Sequence, residues 1–177
     1  GVTTLKDSQG GNAKARLEEK QMQARRFSGL NAPKGMAIYD NQLWVSDIDH
    51  LLVIDLPSKT LLRSISILGA TFLNDVAIDK QGKVYVSDSF TNTIYRFAND
   101  NLEIYARDIQ SANGLLTTDS GLIVASHNRL LMIDEKNRIL PITQHLYPEA
   151  DGIQQWSSDS YLVSSWKGKL YLVDHAG

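Results

Sequence analysis

The chain of 177 residues contains no cysteine. A disulfide framework, a thiolate metal site and a cysteine nucleophile are therefore excluded, while the compartment stays open, because exported proteins need no bridges. Charge of one sign is also missing: 18 Lys and Arg stand against 20 Asp and Glu, a formal net charge of −2. Such a balance offers no field to a nucleic-acid backbone or an anionic membrane, and neither is expected as a partner. No apolar run approaches the ~20 residues that cross a bilayer. The chain opens on Gly1-Val2-Thr3-Thr4, with no charged stretch feeding an apolar one, so no leader is read there and the compartment is left undetermined between cytoplasm and export. What remains is 42% hydrophobic and 21% charged residues, the composition of a water-soluble globular domain.

Within that composition lies a repeat of roughly forty residues. Gly35-Met36-Ala37-Ile38-Tyr39 aligns with Asp75-Val76-Ala77-Ile78-Asp79, with Gly114-Leu115-Leu116-Thr117-Thr118 and with Gly152-Ile153-Gln154-Gln155-Trp156. Each start leads through a turn into a second run: Leu43–Asp47, Val84–Asp88, Leu122–Ser126 and Tyr161–Ser165. A third follows at Leu51–Asp55, Thr93–Phe97, Leu130–Asp134 and Lys169–Asp174, and a weaker fourth at Leu61–Ile67, Leu102–Tyr105 and Arg138–Ile142. Short runs rich in Val, Ile, Leu and Tyr, separated by turns such as Asp40-Asn41 and Lys80-Gln81-Gly82, predict antiparallel hairpins. Four runs per unit make a four-stranded blade, and tandem blades make an all-β propeller. Helical repeats would need a 3.6-residue apolar rhythm that residues 31–177 lack. Blades are expected to start near residues 31, 73, 112 and 151, within a propeller region of 24–177.

Residues 1–23 read as an N-terminal arm. Good helix formers with a weak apolar stripe predict a marginal helix over about 13–22. Residues 24–30 occupy the place of an outer strand and, in a closed four-bladed ring, would complete the last unit, which ends with three runs.

The residue before each repeat start should sit at the mouth of the central channel: Lys34, Asn74, Asn113 and Asp151. Three of the four carry side-chain oxygens, and convergent carboxylate and amide oxygens suit a hard cation such as Ca²⁺. Asn and Asp are equally at home in tight turns, and only the common phase points to function. His50, His127, His145 and His175 share no metal-ligand spacing, and the sequence holds no His-Glu-x-x-His, no nucleophile elbow, no P-loop and no dinucleotide fingerprint. Trp44, Trp156, Trp166, Tyr85 and Tyr95 fall within strand runs and read as blade packing.

The stretches Leu73-Asn74-Asp75-Val76-Ala77-Ile78-Asp79, Ala112-Asn113-Gly114-Leu115 and Asp151-Gly152-Ile153, at this spacing, resemble the gluconolactonase, regucalcin and luciferin-regenerating group of six-bladed propellers. Gly82-Lys83-Val84-Tyr85-Val86-Ser87-Asp88 also suits the related NHL-repeat propellers. The resemblance covers about residues 29–174. It implies a divalent metal, Ca²⁺ here, held by Asn113 and Asp151 with a Glu from an earlier blade, and a lactone or sugar-like small molecule bound by Asn74, with Lys34 beside it. It further implies a metal-dependent lactone or ester hydrolase in which Asp151, or a water it holds, delivers the attack. The chain departs from the family at the Glu: residues 1–30 offer only Glu18 and Glu19 in a helix-like run, so weak cation binding is expected. Four units against the family's six imply a partial ring whose open edges are available for self-association; a closed four-bladed ring is the alternative. The rival to catalysis is a non-catalytic propeller whose loop face binds a protein or small ligand.

Overall fold

A computed structural model of the chain describes residues 29–143 and 149–174. The expected helix at 13–22, residues 24–28 of the expected outer strand, Glu18, Glu19, His145 and His175 lie outside the described residues, and residues 29 and 30 carry no strand. The chain divides into two units, Gly1–Leu30 and Asn31–Gly177, and every described strand belongs to the second. No helix occurs among the described residues, and so none is long and apolar enough to cross a membrane.

The first sheet runs β1 (Pro33–Tyr39), β2 (Gln42–Asp47), β3 (His50–Asp55), β4 (Thr60–Ser66), and the second runs β5 (Leu73–Ile78), β6 (Val84–Asp88), β7 (Thr93–Ala98), β8 (Asn101–Ala106). The third comprises β9 (Ala112–Thr118), β10 (Gly121–Ser126), β11 (Arg129–Asp134) and β12 (Ile139–Pro141), and the fourth β13 (Ala150–Ser157), β14 (Ser160–Ser165) and β15 (Lys169–Asp174). Within each sheet, neighbours in sequence are neighbours in space and all pairs are antiparallel. The turns explain the meander. Asp40-Asn41 and Asn99-Asp100 hold positive φ at both central positions, the backbone of the two-residue hairpin whose twist matches its strands.

Three sheet-to-sheet seams form the core. Trp44, Leu51 and Val53 of the first blade pack on Val76, Val84, Tyr95 and Phe97 of the second. On its other face the second blade places Ala77, Tyr85 and Ile94 against Leu115, Leu122, Leu131 and Ile133 of the third. Ile123, Ala125 and Leu130 then meet Tyr161, Val163 and Val173 of the fourth. The first strands of the blades lie side by side, β1 on β5, β5 on β9 and β9 on β13, and no comparable packing among the described residues joins β13 to β1.

This inner layer is tight enough to dictate residue type. A Cβ on Gly35 would overlap the backbone of Asp75 and Val76, and one on Gly114 would overlap the carbonyl of Asp151. Glycine marks these points because one backbone approaches another too closely for a side chain. Gly114→Ala should therefore destabilise the protein by about 1–3 kcal/mol through overpacking, read as a lower urea midpoint. An unchanged midpoint would mean that β9 and β13 are not in such contact.

Candidate functional site

Lys34, Asn74, Asn113 and Asp151 are each the second residue of an inner strand, and the register explains how they are presented. Pairing of β1 with β2 slips between Pro33 and Met36, β5 with β6 between Leu73 and Val76, and β13 with β14 between Ala150 and Ile153. In the third blade Ala112 pairs with Ser126 and Leu115 with Val124. Every inner strand thus opens with two residues facing one, a β-bulge, which bends the strand and re-aims its side chains. The residue opposite each bulge is Ser46, Ser87, Ala125 or Ser164. The hydroxyls accept the bulge N–H groups of Gly35 (3.0 Å), Asp75 (3.0 Å) and Gly152 (2.9 Å).

Buried carboxylates fix the loops that lead into these strands. Asp88, fully buried, accepts the N–H groups of Thr71 (2.7 Å) and Phe72 (3.2 Å) on one oxygen and of Phe90 and Thr91 (both 3.0 Å) on the other. Asp47 does the same for Asn31 (2.9 Å) and Ala32 (2.6 Å). In the third blade Ser126 takes this place and donates to the Gln110 carbonyl at 2.9 Å.

The structure brings two of the four expected residues into contact. The Asn113 side chain, buried to 8% exposure, hydrogen-bonds the Asp151 carboxylate, and so does the side chain of Trp166. Asn74 and Lys34 go elsewhere. The Asn74 amide donates to Ser89 Oγ at 3.0 Å, and that hydroxyl donates to the Ala112 carbonyl at 2.6 Å, tying the second blade to the third. Lys34 Nζ donates to the Ala32 carbonyl at 3.2 Å and stands 4.1 Å from the centre of the Phe72 ring. Phe72 in turn stacks on Phe90, centroids 4.2 Å apart. No ion pair joins Lys34 to a described carboxylate.

Two residues enter the site that the repeat did not single out. Asp75 accepts its own blade's Val76 N–H at 2.9 Å and, across the seam, the Leu115 N–H at 2.8 Å. Burial pushes its carboxyl above the ordinary carboxylate value, and the charge of Asp151 adds to the rise against the two hydrogen bonds. The Asp151 carboxyl is also raised, by burial, against the bonds from Trp166 and Asn113. The sequence did carry a signal for Asp75, since the other three units have glycine in its place. Trp166 corrects the packing assignment: Trp44, Tyr85 and Tyr95 are buried in blade seams, whereas Trp166 is 71% and Trp156 66% exposed. Trp166 follows β14 directly, so its ring clears the sheet and reaches Asp151 from the rim.

Asn113 and Asp151 with nearby Asp75 offer hard oxygen donors to a cation, and no amine competes for them. Among the described residues no cluster of three or more His, Cys, Asp or Glu forms a complete ligand set. The fit is that of a partial, oxygen-only site.

No family model matches the sequence, and no curated protein matches it. Solved structures do match in shape. The computationally designed Ika4 protein superposes with a TM-score of 0.65 at 11% identity, over 82% of this chain and 92% of that one. A chain of the nidogen/laminin complex gives 0.73 at 19% identity, over 84% and 62%. Virginiamycin B lyase from Staphylococcus aureus gives 0.61 at 13%, over 79% and 54%. The fold is a β-propeller. The chain spans little more than half the length of that lyase, and identities this low speak for the fold alone.

The raised Asp75 carboxyl has a consequence for stability. Its folded value lies above its unfolded one, so folding takes up a proton in the window between them, and the group's contribution to stability falls as pH rises through that window. Asp75→Asn should flatten the slope of stability against pH just above about pH 4, measured by urea unfolding at a series of pH values. An unaltered slope would mean that Asp75 is not buried. Separately, Ser164→Ala removes the acceptor of the exposed Gly152 N–H beside Asp151 and, with water able to take its place, should cost no more than about 1 kcal/mol, seen as a small drop in melting temperature.

Proposed function

We propose that the bulges of the third and fourth blades form a divalent-cation site, with Asn113 and Asp151 as ligands, in a propeller that acts on a lactone or related ester. The observation that supports this is the Asn113 and Trp166 side chains held on the Asp151 carboxylate, with the second carboxyl, Asp75, close enough to feel its charge. A bound Ca²⁺ would supply Lewis-acid polarisation of a carbonyl. The rest falls to the chain's own groups. The amide of Asn113 fixes the rotamer of Asp151, and the exposed face of Trp166 shields one side of it. Burial raises the Asp151 carboxyl, which makes it a better acceptor for a proton leaving an attacking water. Asp75, pinned by Leu115 N–H, adds negative potential that favours a cation without competing for the substrate. Lys34 and Asn74, engaged with Ala32 and Ser89, would have to leave these partners to reach a substrate held at Asp151.

With two carboxylates and one amide the site should bind Ca²⁺ weakly, with Kd on the order of 10⁻⁴ to 10⁻³ M. Calorimetric titration should show that affinity and its loss in Asp151→Asn. It should also show binding weakening at a pH above the ordinary carboxylate range as Asp151 takes up its proton. A panel of sugar lactones should be hydrolysed slowly, with Ca²⁺ required and Asp151→Asn inactive. No heat of Ca²⁺ binding and no hydrolysis would sink this reading.

A second reading has its own observation. Phe90, 70% exposed, stacks on Phe72 under the Lys34 ammonium, a cationic and aromatic surface suited to holding a protein or small ligand without chemistry. Ligand binding that survives Asp151→Asn but is lost in Phe90→Ala would favour it.

A further inference from the structure

The seam between the second and third blades opens, at the far ends of the inner strands from the bulges, into a cavity of about 340 Å³. Thr118 on its wall stands five residues along β9 from Asn113, about 16 Å at ~3.3 Å per residue. Small-molecule sites span ~300–1,000 Å³, so this one fits a metabolite of amino-acid size.

Its wall is polar where the neighbouring blades are apolar. The cross-strand pair at this place is Trp44 with Val53 in the first blade and Ile123 with Met132 in the third, but Tyr85 with Arg96 in the second. Blade packing alone is met by an apolar pair, twice over. The Arg96 guanidinium is held within its own blade: Nε donates to Glu103 Oε1 at 2.8 Å, the group also hydrogen-bonds the Tyr85 phenol, and it lies 4.8 Å from the centre of the Tyr105 ring. Tyr85 donates to Asp79 Oδ2 at 3.3 Å, and burial pushes its phenol up to about 12, so it stays a neutral group. Across the seam Lys80 Nζ donates to Asp119 Oδ1 at 2.5 Å and ties the two turns together.

These contacts fix the wall and still leave one charge of each sign on it. Lys83, half-buried on the second blade, and Glu135, exposed on the third, both border the cavity. Neither has an ion-pair partner among the described residues. A ligand that is only an anion would meet Glu135, and one that is only a cation would meet Lys83. A ligand with both signs answers each, while Leu122 and Tyr105 give the rest of it an apolar wall. We propose that this cavity binds a free α-amino acid, its carboxylate on Lys83 and its ammonium on Glu135. The proposal is independent of the cation site.

Calorimetric titration of the 177-residue chain with each of the twenty standard amino acids should show at least one that binds. For that one, the matching amine without the carboxylate and the matching acid without the amine should each bind roughly tenfold more weakly or worse, the loss of one hydrogen bond to a charged group. These comparisons rely on no variant folding. Lys83→Met and Glu135→Gln should each weaken binding by a similar factor. Lys167→Met, in the turn between β14 and β15, should leave it unchanged. Neither heat nor a rise in melting temperature with any amino acid at millimolar concentration would overturn the proposal. So would equal binding of a singly charged analogue, an affinity indifferent to Lys83→Met or to Glu135→Gln, or a loss shared by Lys167→Met.

Discussion

Every blade depends on how its inner strand begins. Two residues face one across a bulge, and the extra N–H must find an acceptor in a layer where strands touch backbone to backbone. In three blades a serine hydroxyl on the second strand supplies it. A buried donor without a partner costs about 1–3 kcal/mol, a sizeable fraction of the 5–15 kcal/mol that holds a domain together. Ser46 and Ser87 relieve the bulges of the first two blades of that cost, whereas the third blade carries its bulge opposite Ala125. Ser46 goes further, since its hydroxyl also reaches the Asn74 carbonyl of the next blade and links one inner strand to the next.

The same bulge brings polar side chains of neighbouring blades together. In a regular strand alternate residues would point into opposite seams, and a carboxylate there would be buried among Val and Leu. Bending lets Asn113 and Asp151 meet across the seam between the third and fourth blades. Asp75 shows what happens when a carboxylate stands where the other blades use glycine: it is drawn toward the seam, satisfied by two backbone N–H groups, and held above its ordinary protonation range by burial.

Most of the fold was legible because it is written repeatedly. All fifteen described strands lie where the alternating runs put them. Repetition reveals an element's kind, since chance rarely spells the same pattern at one phase several times. It is blind to whatever differs between copies. Leu170 reads like Leu51, Ile94 and Leu130, which are fully buried, and the pattern alone could not tell that it is exposed. Trp166 looked like a strand residue because it abuts one, and one position past the last β14 pairing its ring leaves the sheet. The common phase makes Lys34, Asn74, Asn113 and Asp151 each the second residue of an inner strand. It could not decide which would touch, because that depends on side-chain partners: Ser89 for Asn74, and Ala32 with Phe72 for Lys34.

The separation of Lys34 from the carboxylates has an electrostatic reason. An ammonium beside Asp151 would neutralise it and lower its carboxyl, and the site would become a structural ion pair with no appetite for a ligand. Two local contacts hold Lys34 away, the Ala32 carbonyl and the Phe72 ring. Both sit in loops fixed by buried aspartates, Asp47 for Ala32 and Asp88 for Phe72. Those aspartates end the second strands of the first and second blades, next to the serines that satisfy the bulges. One short Val-Ser-Asp run, used twice, therefore closes the bulge with its serine and anchors the loop with its aspartate. The same run thereby seats the Lys34 ammonium on an aromatic ring and a backbone carbonyl, with no ion pair to a described carboxylate.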